Sequence, residues 1–184
     1  GDTIRELRKL RRNGMRFYWG EGDWYAGVDS EYLVEAAGFL KGDYSDFLRF
    51  QAREEKTRTA EDAALMISLD ELRQRIIRYD NFAKTHPKLD ETNSEIQHEI
   101  KHLMTWYLYG TDNSPAYERQ APSKTEMTIK PELRESYERF LAENRDSSLY
   151  PVISEAYGIL KRHKFLFSKE LDAYIKSAGV AFSY

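Results

Sequence analysis

Between Ser94 and Gly110 the chain reads SEIQHEIKHLMTWYLYG. Within it His98 and His102 are four residues apart, and Glu99 follows the first histidine directly. On an α-helix, side chains at that spacing share a face. Two imidazoles so placed can bind zinc, which needs a third protein ligand and keeps its fourth position for water. A carboxylate beside the metal then acts as general base toward that water. Glu99 suits this role, and Asp112 or Glu118 supplies a candidate third ligand. His86 and His163 stand alone beside chain breaks and read as structural.

In its spacing this stretch resembles the active-site helix of zincin metallopeptidases. Gly110-Thr111-Asp112 after it is similar, over a few residues, to the Gly-Thr-x-Asp segment of aspzincin peptidases. The resemblance implies a zinc-dependent hydrolase with His98, His102 and Asp112 as metal ligands and Glu99 as catalytic base. Two residues depart from the pattern. Lys101 places a cation beside the metal, and Leu108 stands where a metzincin has its third histidine. The competing reading is a solvated helix face. At 100° per residue, Ile96, Ile100, Leu103 and Tyr107 fall within about a 60° arc, and both histidines lie nearly opposite.

The elements around this stretch read as helices. Ile4, Leu7 and Leu10 form one stripe of a basic N-terminal helix that ends at Asn13-Gly14. Arg5, Arg8, Lys9, Arg11 and Arg12 on it suit an acidic or phosphate-bearing partner, or simply a wet face. Residues 29–110 read as a helical core. The longest helix is expected over 59–86, with Leu65, Leu69, Leu72 and Ile76 as its stripe. Pro115, Pro122 and Pro131 mark 111–131 as a long connection. Residues 132–184 read as C-terminal helices, with Ser168 capping the last and a tail laid against the fold. One domain, 1–184, is expected.

MRFYWGEGDWYAGVDS, from Met15, is different. Its glycines resist a long helix. Phe17, Tyr18, Trp19, Trp24 and Tyr25 read either as a loop pinned to neighbouring helices or as a partner-binding surface. Tyr-x-x-Phe recurs at Tyr44, Tyr79 and Tyr137; the first interval is 35 residues. That period resembles tetratricopeptide-type arrays of helical hairpins.

Composition sets the outer limits. The 184 residues carry a net charge of −3, so no overall basic excess argues for nucleic acid or a membrane. Without cysteine, disulfides and thiolate metal sites are excluded, and cytoplasmic and extracytoplasmic locations both fit. No apolar run reaches the roughly 20 residues of a transmembrane helix. The chain starts at Gly1 and reads as trimmed.

The expectation is thus an all-α protein of about seven helices in antiparallel hairpins, with a short tetratricopeptide-like array as its finer form. Its expected function is non-enzymatic interaction with a protein or peptide, without a cofactor. The alternative is the zinc hydrolase.

Overall fold

The computed structural model describes residues 2–20, 22–119, 121–122 and 125–180, without the side chains of 2, 3, 20 and 90–93. Glu21, the 181–184 tail and the side chains that could cap the first helix lie outside this set. The chain forms two compact units, Gly1–Asp62 and Ala63–Tyr184.

The all-α expectation is incorrect. Among the described residues, eight helices alternate with four small two-stranded antiparallel sheets, a mixed α/β architecture. The tetratricopeptide-like array falls with it, because ribbons interrupt the helices. The repeated tyrosines also have unlike surroundings: Tyr44 is exposed and Tyr137 is fully buried.

The first unit runs α1 (Asp2–Arg12), β1 (Met15–Gly20), β2 (Asp23–Val28), α2 (Ser30–Ala36) and α3 (Asp43–Glu54), ending with the two-residue strand β3 (Ala60–Glu61). Gly14, at φ +81°, turns α1 into β1. A Cβ there would stand 2.4 Å from the Tyr32 ring, so the position needs glycine for both space and conformation. Asp29 caps α2, accepting from the backbone N–H of Glu31 and Tyr32. The 15–28 segment is not a loop but a ribbon, with Trp19 opposite Trp24 and Tyr18 opposite Tyr25.

The second unit opens with β4 (Ala64–Leu65) and α4 (Leu69–Thr85). The helix expected over 59–86 therefore starts ten residues late. Asp62 and Ala63 both take positive φ, and Ser68 caps α4 at the Glu71 N–H. Next come α5 (Asp90–Tyr109), β5 (Gly110–Thr111), β6 (Ser114–Pro115), β7 (Tyr117–Arg119), β8 (Met127–Ile129), α6 (Pro131–Glu143), α7 (Tyr150–Arg162) and α8 (Lys169–Ala178). The expected long connection is thus two ribbons. Backbone bonds from Ile129 to Phe165 and from Phe167 to Met127 fasten β8 to the chain after α7. Lys164 and Phe165, both at positive φ, bend that chain into place.

The core of this unit is the face of α5 read from the sequence. Ile96, Ile100, Leu103 and Tyr107 are buried there; α5 packs on α4, which buries Leu72 and Ile76 and also packs on α6, and Tyr107 meets Tyr137 of α6 edge-on at 4.9 Å. Buried hydroxyls need partners. Tyr107 and Ser136 share a hydrogen bond of 2.8 Å, and Tyr137 donates to the Tyr107 carbonyl at 2.9 Å. At the other end of α4, buried Asp80 accepts from Lys84 and from the Ser148 N–H and hydroxyl. Burial alone would raise its pKa, but these bonds outweigh it and hold the carboxyl below its ordinary range.

Candidate functional site

Because α5 buries the Ile96–Tyr107 stripe, its opposite side carries the histidines outward. His98 is exposed and His102 half-buried. Their Nε2 atoms lie 3.1 Å apart, one ring donating to the other, and the rings meet edge-on at 4.7 Å. Trp106, one turn further, continues the row at 5.8 Å from His102. Sequence reasoning missed this tryptophan, although its i+4 spacing from His102 was visible.

The other members of the expected zinc site do not join them. Among the described residues, no three His, Asp or Glu side chains form a group that could hold a metal ion. Asp112 sits exposed in the turn between β5 and β6. Glu118, on β7, lines a separate cleft with Thr128, Arg134 and Lys164. Two imidazoles alone fall short of the three protein ligands of a catalytic zinc.

Glu99 does not project freely. It is half-buried, and burial raises its pKa above the ordinary range; the charges of His102, Arg75 and His98 oppose this without cancelling it. Arg75 belongs to α4, so the carboxylate senses the helix packed beside its own.

The aromatic ribbon has an unusual distribution of surfaces. Alternate residues of a strand face opposite ways. One face therefore holds Arg16, Tyr18, Asp23, Tyr25 and Gly27. Part of it is held within its own unit, while Asp23 and Tyr25 stay exposed. The Arg58 guanidinium lies 4.4 Å above the Tyr18 ring, and Arg16 reaches Glu55 at 4.0 Å. Tyr18 and Tyr25 stack at 5.6 Å. The other face holds Met15, Phe17, Trp19, Trp24, Ala26 and Val28, all apolar. Here Trp19 is 53% exposed, Trp24 65% and Val28 60%. The tryptophans touch each other edge-on at 5.6 Å. The segment expected as a loop is thus a ribbon that leaves Trp19, Trp24 and Val28 exposed, with Met15 and Phe17 half-buried.

A cleft of about 320 Å³ lies beside Ser68, Trp106, Asn113 and Lys130. It contains no residue from the histidine pair. No described helix is long and apolar enough to cross a membrane.

The Glu99 shift has a definite sign. A carboxyl with a raised folded pKa favours the folded state while protonated; its contribution is complete below the ordinary value of 4.5 and fades as pH rises through the folded value. Glu99→Gln should therefore raise Tm at neutral pH, with the gain shrinking as the solution is acidified below the glutamate range. Thermal melts at both pH values check this; a variant less stable at neutral pH would contradict it. No family model matches the chain, and no curated protein or solved structure shows significant similarity to it.

Proposed function

We propose that this chain is a non-enzymatic interaction module that meets a protein or peptide partner through the open face of the β1–β2 ribbon. Phe17, Trp19 and Trp24 form the contact surface, with Tyr18 and Tyr25 supporting it from behind. The observation that carries this reading is the cluster of Trp19, Trp24 and Val28, all exposed on one apolar face of the ribbon. Large exposed apolar patches mark interaction sites, and tryptophan is enriched where binding energy concentrates. A lone two-stranded ribbon is also marginal in water, so a partner that covers it adds stability as well as contact.

A photoreactive phenylalanine analogue placed at Trp24 tests this in the source cells. It should yield a discrete cross-linked species, lost when Trp19→Ser and Val28→Ser are added. The same probe at exposed Glu132 of α6 should yield none. Equal cross-linking at both positions, or none at Trp24, would reject the ribbon as a contact surface.

One observation favours a second reading, the zinc hydrolase. The 3.1 Å between the His98 and His102 nitrogens is compatible with two ligands of one ion. Glu99 would be its base, and Asp112 or Glu118 would have to move to complete the shell. That reading predicts about one zinc per chain after dialysis, following the one-ion geometry of such sites, and its loss in His102→Ala. Unchanged zinc content in the variant would exclude it.

A further inference from the structure

The remaining uncovered apolar side chains of the first unit include a second stripe on α1, where Ile4 is 60% exposed, Leu7 41% and Leu10 38%. At 100° per residue these three span about 120° of the helix. Arg5, Arg8, Lys9 and Arg12 occupy the opposite half. Arg11 falls inside the stripe, where its stem can lie along apolar surface while the guanidinium reaches outward. Glu6 is the one acidic residue between positions 4 and 12.

Most of these cations are also uncommitted. Among the described residues, Arg8, Lys9, Arg11 and Arg12 enter no ion pair. In the second unit Arg73, Arg78, Lys84, Arg134, Arg139 and Arg162 each pair with a carboxylate. The chain's net charge of −3 conceals this, because it averages the basic helix with a surplus of acids elsewhere.

From the bare stripe and the unneutralised cations together, we infer that α1 is an interfacial helix that lies on an anionic lipid bilayer. Apolar side chains on one face and Lys/Arg on the other are the two attractions such helices combine. Charge complementarity favours acidic headgroups. The geometry favours a flat surface over a protein groove. Groove-bound helices use anchors continued over several turns, at i, i+3, i+4 and i+7. Here the stripe stops at Leu10, and at Gly14 the chain turns into β1. A nucleic acid would use the cations but leave the stripe exposed. This surface is separate from the ribbon, and the inference does not depend on the ribbon's partner.

Flotation of the full chain with lipid vesicles tests it. The protein should float with phosphatidylcholine vesicles containing phosphatidylserine, not with phosphatidylcholine alone, and should be released by high salt. Leu7→Glu, and separately Arg8→Glu with Arg12→Glu, should each weaken binding by about tenfold or more. Both alter exposed positions, and circular dichroism will verify unchanged helix content. Trp19→Ser with Trp24→Ser should float like the wild type, which separates this result from any failure of the ribbon contact. Three outcomes would overturn the inference: no flotation with either vesicle, equal flotation with both, or binding to polyglutamate or duplex DNA that matches vesicle binding and survives Leu7→Glu.

Discussion

A helix that gives one stripe to the core leaves its other faces to solvent, and the Ile96–Ile100–Leu103–Tyr107 stripe of α5 imposes this choice on the second unit. Its burial brings α4 and α6 onto α5, and the tyrosine hydroxyls at its end find partners inside rather than in water. Burying each such side chain stabilises the fold by roughly 1.5–3 kcal/mol. Rotating α5 to bury the histidines would forfeit several of these contributions at once. The outward orientation of His98 and His102 is therefore a consequence of packing, and among the described residues it brings no third ligand to them.

The first unit has no comparable seam. Phe47, Leu48, Phe50 and Ala52 of α3 are buried, but many of the unit's other apolar residues lie on the basic helix α1 and the ribbon. Trp19, Trp24, Val28, Leu7 and Phe39 all remain exposed. In the larger second unit, Met66 and Met127 are the large exposed apolar residues among those described. The exposed large apolar side chains are thus concentrated in the first unit.

Much of the scaffold was legible from residue order, because the 3.6-residue period is explicit in α5 and in Leu72 and Ile76 of α4. Local punctuation was equally plain at Gly14, His86-Pro87, Pro131 and Ser168. The ribbons were harder to see. Ala60 to Leu65 has helix-favouring composition, yet two consecutive positive-φ residues without glycine divide it into strands. The 111–131 segment owes its form to backbone bonds with residues 165–167, a separation no local pattern encodes. The β1–β2 ribbon did leave a signal: two apolar-alternating runs flank Glu21-Gly22, the spacing of a tight hairpin. As for the site, the pairing of the histidines followed from their spacing. The distance of Asp112 and Glu118 from them is tertiary and could not be read.

Native-state hydrogen exchange on the intact chain probes this division most directly, since local opening reports how well each element is covered. Amides of α5 from Ile96 to Tyr107 should be among the slowest to exchange. Those of the β1–β2 ladder should exchange far faster despite their hydrogen bonds. A ribbon as well protected as α5 would mean that its apolar face is already covered within the free protein, and the account would be wrong.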